Sequence, residues 1–260
     1  MKIGICASEP EQIRMAQRAG YDFVEVNTAG TIMNDEKYPG LLELRASLPA
    51  EFMYSCNVLC PADLRLTGPD VDYEKIRAYC FDSFARLDSL GIKMIVFGSS
   101  AAKRVPEGFS MDTAMDQLVE AVRIFSEVAA THSQRVCIEP IRFSECNIIN
   151  TALDAAELVR RVDRENVGLH VDYFHMMQNG EKLSQLIELA PMITHTHIAS
   201  PCKRSMPTFD DGADYAFFFE ALRKGGYDST VTFEGSTEWD SELLCDTCAY
   251  LREVCAVTNN

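Results

Sequence analysis

The sequence predicts a single (β/α)8 TIM barrel that spans residues 1–260. Short apolar or β-branched runs alternate along the whole chain with longer stretches of helical periodicity, which is typical of stacked βα units around a parallel sheet. Eight strand runs of this kind occur in 260 residues, close to the roughly 250 residues typical of this barrel. No linker or low-complexity tract divides the chain, so we expect one domain.

The eight predicted strands are short apolar runs, each followed by a longer helical pattern. They are KIGIC (2–6), FVEV (23–26), EFMYSC (51–56), MIVFG (94–98), RVCIEP (135–140), VGLHVD (167–172), ITHTHI (193–198) and TVTFE (230–234). Several helical patterns begin after Asp, Ser or Thr or end at Gly, as helix caps do. They are 10–20, 38–48, 72–91, 111–132, 151–162, 181–190, 213–226 and 240–256. A doubly wound sheet is the rival fold, but GICASEPEQ lacks its glycine-rich turn.

Composition restricts the partners of the protein. Asp and Glu number 39 against 24 Lys and Arg, and the net charge of −15 opposes binding to nucleic acids or anionic membranes. MKIGICASEP lacks the regions of a signal peptide, and no run approaches the roughly 18 apolar residues of a membrane span. The ten scattered cysteines, including the CxxC of Cys245 and Cys248, are expected to be free thiols. We therefore expect a cytoplasmic protein that acts on a small molecule.

Ligand-type side chains stand at the ends of the last four predicted strands: Glu139, Asp172, His197 and Glu234. Successive members are about one βα unit apart, so they would converge at the C-terminal ends of strands five to eight, where TIM-barrel active sites lie. Three carboxylates can be buried together only if a cation or protons compensate them. Their combination with one imidazole suits one divalent metal ion, Mn²⁺ first and Mg²⁺ or Co²⁺ as alternatives, better than a structural zinc.

Five segments of the chain resemble the xylose isomerase-like sugar phosphate isomerase/epimerase superfamily, especially its ketose 3-epimerase and inosose-processing branch. They are CIEP with Glu139, HVDYFHM with Asp172 and His175, HTHIAS with His197, DGADYAFFFEALRKGGYDSTVTFE with Glu234, and CNVLCPADLRLTGPD. The resemblance covers essentially the whole chain and implies a TIM barrel. It also implies that Glu139, Asp172, His197 and Glu234 bind one divalent metal, and that the two glutamates act as catalytic acid and base.

The same resemblance implies substrate-binding positions. Glu145 and His175 match positions that contact substrate hydroxyls. Family members carry an arginine six residues after the histidine ligand and a proline three residues later. HIASPCKRSMP places Lys203 at the first spacing, whereas Arg204 keeps the second, so both are candidates. Arg204 is favoured because a planar guanidinium grips vicinal oxygens better.

A site of this kind supports proton abstraction α to a carbonyl, through a metal-stabilised enediolate. Return of the proton to the opposite face gives epimerisation, and return to the adjacent carbon gives isomerisation. We therefore predict a metal-dependent isomerase or epimerase acting on a sugar or polyol-derived ketone, with the initiating glutamate left open. The alternative is a lyase or dehydratase on a 3-keto sugar, 3-keto-glycoside or inosose, because the same enolate can expel a β-leaving group.

Two further functions are less well supported. A DNA-repair nuclease of the same superfamily would need several zinc ions and a basic groove, against five histidines and a charge of −15. A barrel that only binds a sugar would leave the acid and base without a role.

Two of the remaining histidines are expected to be structural. His170 and His195 precede Asp172 and His197 by two residues, so they point to the same side, deeper in the barrel, and should pack in the core. His175 is expected in the loop after the sixth strand.

The segment YAFFFEAL is more apolar than one packed stripe requires, which is compatible with a homo-oligomer.

Overall fold

A computed structural model describes residues 1–256 as a closed barrel of eight parallel strands. Neighbouring strands pair in chain order, and the eighth closes onto the first. This confirms the predicted (β/α)8 TIM barrel; residues 257–260 of the predicted domain lie outside the described residues. The strands are β1 (Lys2–Cys6), β2 (Phe23–Asn27), β3 (Met53–Asn57), β4 (Met94–Phe97), β5 (Arg135–Ile138), β6 (Val167–Asp172), β7 (Ile193–Ile198) and β8 (Thr230–Phe233).

Ten α-helices lie among residues 1–256, seven of them at predicted positions. They are α1 (Pro10–Arg18), α2 (Tyr38–Arg45), α3 (Tyr73–Ser89), α4 (Ser100–Lys103), α5 (Met111–Thr131), α6 (Ala152–Val162), α7 (Tyr173–Gln178), α8 (Leu186–Leu189), α9 (Tyr215–Lys224) and α10 (Ser241–Ala256). The short α4 and α7 were not predicted. The helix predicted over 181–190 is confirmed in part: α8 forms in its second half, with a 3₁₀ turn on either side. The unpredicted α7 already occupies the first part of this connection, and Pro191 ends the second part.

The helices cover the outer face of the barrel with apolar stripes. In α5, Leu118, Val122 and Phe125 recur at helical spacing and are buried. The ring of Phe125 meets Phe97 of β4 edge to face, with the ring centroids 5.2 Å apart. This apolar layer between strands and helices fixes the strand ends from which the functional side chains project.

One buried amide organises the connection from β5 to α6. Asn150 is 5% exposed, and its Nδ2 donates to the carbonyl oxygens of Ile141 (2.7 Å) and Cys146 (2.9 Å). The amide thereby fixes both ends of the segment that contains Glu145.

All ten cysteines are free thiols, as predicted, and seven of them are buried. In the CxxC sequence on α10, Cys245 is exposed whereas Cys248 is buried. The pair therefore has the character of ordinary helix positions.

No helix among residues 1–256 has both the length and the apolar character that crossing a membrane requires.

We expect Asn150→Ala to lower the free energy of unfolding by about 1–3 kcal/mol, because two buried carbonyl groups lose their donor. Urea denaturation measures this change. Ser144→Ala, at an exposed position of the same loop, is the matched control and should leave the free energy unchanged. Equal stability of the two variants would contradict the role given to Asn150.

Candidate active site

Four ligand-type side chains meet at the C-terminal mouth of the barrel. Asp172 and His197 belong to β6 and β7, and Glu139 and Glu234 each follow the last residue of β5 and β8 by one position. One ligand atom from each of the four lies within 4.8 Å of the others. Glu139, Asp172 and His197 are buried, and Glu234 is partly buried. The structure thus brings together all four residues that the strand-end pattern singled out.

Three atoms on the side of the cluster where the ligand-type groups meet are buried without a hydrogen-bond partner: Glu139 Oε1, Asp172 Oδ2 and His197 Nδ1. His197 Nε2, on the opposite side of the ring, also has no hydrogen-bond partner. His197 Nδ1 lies 3.6 Å from Glu139 Oε1 and 3.3 Å from Glu234 Oε2. Leaving a buried polar atom unpaired costs about 1–3 kcal/mol, and more for a charged group. Carboxylate oxygens with one imidazole nitrogen are a donor set that divalent cations accept. The residues therefore fit a single divalent metal ion.

The charged groups of the cluster shift one another's pKa values, and the shifts differ in direction. Burial raises the pKa of Asp172 to about 6, although Arg204 and His197 oppose this rise. Burial would also raise the pKa of Glu234, but His197 and Arg204 outweigh it and lower that pKa to about 2. Burial would lower the pKa of His197, but Glu25 and Glu234 raise it well above its usual value. A cation that enters the cluster therefore competes with a proton on His197.

Arg204 is the cation that reaches the cluster, whereas Lys203 is exposed on the surface. Arg204 Nη2 lies 2.5 Å from Glu234 Oε2 and 3.7 Å from Asp172 Oδ2. Its guanidinium carbon stands 5.0 Å from the ring centroid of Phe174. The Arg204 carbonyl accepts a hydrogen bond of 2.7 Å from the backbone N–H of Ser236, just beyond β8. Arg204 is thus held at its backbone carbonyl and at its guanidinium.

His175 lies in helix α7 and is 1% exposed, so its expected position in a loop is wrong. The cause is Asp172, whose Oδ1 accepts a 2.7 Å hydrogen bond from the N–H of Phe174 and starts the helix. His175 Nε2 lies 3.6 Å from Asp172 Oδ2 and 3.9 Å from Glu139 Oε1. Burial lowers the pKa of His175, so the ring is neutral near pH 7.

Two adjoining cavities open beside the cluster. One, of about 140 Å³, is lined by Asn57, Val58, Gly98, Ser99, Ser100, Glu139, Ile141, Glu145, His175, Arg204 and Glu234. The other, of about 290 Å³, is lined by Cys6, Ala7, Ser8, Gln12, Asn27, Asn57, Val58, Glu234, Gly235, Thr237 and Trp239. Glu145 lines the first cavity, and its carboxylate accepts a 2.6 Å hydrogen bond from Arg142 Nε. The ends of β1, β2, β3 and β4 therefore contribute to the mouth, in addition to the four strands predicted.

Asn57 stands between the two cavities. Its Nδ2 donates to Glu234 Oε1 at 3.0 Å, and its Oδ1 is buried without a partner. Sequence analysis missed this residue because an asparagine at the end of a short strand has no distinguishing spacing.

Glu25 on β2 is a second residue that sequence analysis missed. Its side chain is fully buried, with Oε1 2.8 Å from His197 Nε2 and Oε2 accepting hydrogen bonds from His195 Nε2 (2.9 Å) and Ser55 Oγ (2.8 Å). Burial would raise the pKa of Glu25, but His197 and His195 hold it well below its usual value. The available signal was an acidic residue within FVEV, where every neighbour is apolar.

His170 and His195 lie in the barrel interior, as expected. Both are fully buried, and the His170 ring packs edge to face against His197 with the centroids 4.1 Å apart. His195 Nδ1 lies within hydrogen-bond distance of Thr230 Oγ1, at 2.6 Å. These residues form a polar layer below the four-ligand cluster.

One protein-family model matches this chain. The family model described as "Xylose isomerase-like TIM barrel" matches residues 13–254. The match covers nearly the whole described chain, including all four ligand-type residues.

Individual relatives are similar over shorter stretches. A ketose 3-epimerase from Arthrobacter globiformis is 30% identical over 38% of this chain and 34% of its own length. A D-psicose 3-epimerase from Ruminiclostridium cellulolyticum is 29% identical over 66% of this chain and 60% of its own length. Each alignment thus spans less than two thirds of the relative. The crystal structure of D-psicose 3-epimerase with D-tagatose from Clostridium cellulolyticum H10 shares the fold at 22% identity, with a TM-score of 0.83 over 98% of this chain and 99% of that one.

We expect Gly98→Ala to weaken divalent-metal affinity about 10- to 100-fold, the range seen when a ligand's support is removed. A Cβ at this position would lie 2.1 Å from Glu139 Oε2, so the carboxylate must move away. Calorimetric titration with Mn²⁺ measures the affinity. Gly40→Ala, where a Cβ meets no atom within 4 Å, is the control and should bind as the wild type does. Unchanged affinity in Gly98→Ala would argue against Glu139 as a ligand.

Proposed function

Because the chain belongs to the xylose isomerase-like TIM barrel family, we propose that it is a divalent-metal-dependent ketose epimerase or isomerase, which moves a proton at a carbon next to a carbonyl. One observation carries this proposal: ligand atoms of Glu139, Asp172 and His197 are buried together at the barrel mouth without a hydrogen-bond partner. The carboxylate of Glu234 lies beside them. The 3-epimerase activity of both relatives favours epimerisation of a ketose over isomerisation.

We assign Glu139, Asp172, His197 and Glu234 to hold one divalent cation, with Mn²⁺ first and Mg²⁺ or Co²⁺ as alternatives, because three of the four donors are hard oxygens. When bound, the cation would supply Lewis-acid polarisation of a substrate carbonyl. The cluster's own negative charge, offset by Arg204, favours retention of a cation over an anion.

The two glutamates are suited to proton transfer on opposite faces of a substrate. They follow β5 and β8, which are three strands apart in a closed barrel of eight, so their carboxylates enter the mouth from different sides. One glutamate can remove the proton and the other can return one to the opposite face, through an enediolate, which inverts the carbon. The two differ in their partners: both Glu234 oxygens are bound, by Asn57 and Arg204, whereas Glu139 Oε1 is free.

Three side chains of the smaller cavity are suited to hold substrate hydroxyls: Glu145, His175 and Arg204. The neutral ring of His175 can donate from one nitrogen and accept at the other. Arg204 offers a planar fork to vicinal oxygens, and for this reason we assign it, and not Lys203, as the substrate-binding cation. The larger cavity would take the part of the substrate beyond the reacting carbons, with Asn57 Oδ1 as a buried acceptor.

We further assign the protein to the cytoplasm as an enzyme of small molecules. Ten free thiols fit a reducing compartment. The charge of −15 disfavours nucleic acid and anionic lipid as partners. A homo-oligomer stays a prediction from the apolar segment of α9.

We expect Glu139→Gln and Glu234→Gln each to fold normally and to retain less than about a thousandth of wild-type turnover, because acid-base groups contribute about 10² to 10⁴. Proton NMR in D₂O with a panel of ketohexoses, inososes and 3-keto-glucosides measures turnover. Wild-type turnover in either variant would reject its glutamate as acid or base.

The same NMR measurement on the wild type separates the two reaction types. Epimerisation exchanges the proton α to the carbonyl and conserves the carbon skeleton and its substituents. Loss of water or of an aglycone would instead establish the lyase or dehydratase alternative. Ligand binding with unchanged affinity after metal removal, and no exchange on any substrate, would favour a sugar-binding barrel.

We expect Arg204→Lys to raise KM at least about tenfold, because an ammonium cannot grip two vicinal oxygens as the guanidinium fork does. Lys203→Met, at the exposed neighbouring position, should leave KM unchanged. Steady-state kinetics with the substrate found above tests the pair. A larger effect at Lys203 would reverse the assignment.

A further inference from the structure

A fully buried polar layer lies directly beneath the four-ligand cluster. It consists of Glu25, Ser55, His170, His195 and Thr232, each with no measurable exposure. Such positions in a TIM barrel are usually filled by branched apolar side chains. Burying a carboxylate at this depth is costly unless its oxygens are paired. A polar layer in place of the usual apolar one therefore indicates a functional role.

Glu25 connects this layer to the cluster. Its Oε1 lies 2.8 Å from Nε2 of His197, the nitrogen opposite the one that faces Glu139 and Glu234. This is a close nitrogen–oxygen contact, although it does not meet the geometry of an aligned hydrogen bond. The other oxygen, Oε2, accepts hydrogen bonds from His195 and Ser55, which fix the carboxylate from below.

The orientation of the His197 ring is restricted from several sides. His170 packs edge to face against it at a centroid distance of 4.1 Å, and His195 does so at 5.4 Å. Turning the ring over about the Cβ–Cγ bond would place Cδ2 where Nδ1 faces the cluster and Cε1 where Nε2 faces Glu25, so both nitrogens would lose their present neighbours. In the orientation observed, Glu25 is the carboxylate beside Nε2, and carboxylates of the cluster are beside Nδ1.

A histidine can bind a metal only through a nitrogen that carries no proton, and the acceptor beside the other nitrogen decides where the proton stays. With Glu25 beside Nε2, the proton of neutral His197 belongs on Nε2, and Nδ1 is left bare toward Glu139, Asp172 and Glu234. The negative charge of Glu25 also raises the basicity of the ring, which makes Nδ1 a stronger electron-pair donor to a cation.

We propose that Glu25 is a positioning residue, which holds His197 with a bare Nδ1 toward the cluster and thereby sets the affinity of the site for its divalent cation. The inference rests on the proposed metal site. It adds a residue on β2, outside the four strands that supply the ligands, whose carboxylate touches no substrate cavity.

The test is metal affinity, measured on the full chain after removal of metal with EDTA. Glu25→Gln keeps the size of the side chain and one acceptor oxygen but removes the charge. We expect it to weaken binding of Mn²⁺ and of Co²⁺ about 10- to 100-fold in calorimetric titration. The visible spectrum of the Co²⁺-loaded variant should change as well, because the ligand field at His197 changes. At saturating Mn²⁺ most of the turnover should return, since Glu25 does not move the proton.

Ser55→Ala is the matched control. Ser55 lies in the same buried layer and donates to the same carboxylate, but it does not touch His197. Its metal affinity and Co²⁺ spectrum should stay close to those of the wild type, because His195 still holds Oε2 and the charge of Glu25 stays beside His197. If Glu25→Gln does not fold, Glu25→Asp retains the charge and withdraws it by one methylene, and it should also weaken binding.

The outcomes separate the possible roles. Wild-type metal affinity in Glu25→Gln, together with a lower thermal midpoint of the metal-free protein, would show that Glu25 is merely structural. That result would overturn this inference and leave the proposed metal site standing. Absence of Mn²⁺ and Co²⁺ binding in the wild type would overturn the proposed metal site and the inference together.

Discussion

The cost of holding three carboxylates and an imidazole together inside a low-dielectric barrel mouth governs the rest of the structure. Two like charges 4 Å apart repel by about 4 kcal/mol at an effective dielectric constant near 20. Arg204, beside Glu234, offsets part of this repulsion. The fully buried Lys103 adds positive charge nearby, and its Nζ donates at 2.8 Å to the carbonyl of Glu139. A divalent cation would complete the compensation while satisfying the three unpartnered atoms.

The four ligand-type side chains stand at strand ends, and the backbone approaches the site closely at two glycines. Glycine is required at two of these contacts. At Gly98 a Cβ would meet Glu139 Oε2, and at Gly235 a Cβ would lie 2.2 Å from the carbonyl oxygen of Arg204. Arg204 itself has a φ of 50°, in the left-handed region that non-glycine residues avoid, and its carbonyl is tied to Ser236. The residue whose guanidinium reaches Glu234 thus has a locally strained backbone.

The sequence predicted what depends on regular spacing. β6 and β7 have the predicted bounds, and the four strand-end ligands converge because one βα unit separates each from the next. What it could not predict depends on distant partners. Glu25 is one acidic residue in a short apolar strand, and its role follows from side chains on β3 and β7. Helix α7 was missed because the Asp172 carboxylate, expected only as a ligand, also caps the first turn.

The two-residue period of a strand explains why polar chemistry at the mouth extends into the core. Side chains two positions apart on one strand share a side, so Asp172 and His197 stand directly above His170 and His195. A histidine that bound a metal through Nδ1 would need an acceptor beside Nε2, and here the layer beneath provides Glu25. Apolar residues there would place no carboxylate beside Nε2 of His197, where Glu25 Oε1 now lies at 2.8 Å. The buried carboxylate of Glu25 is therefore the counterpart that a metal-binding role of His197 would require.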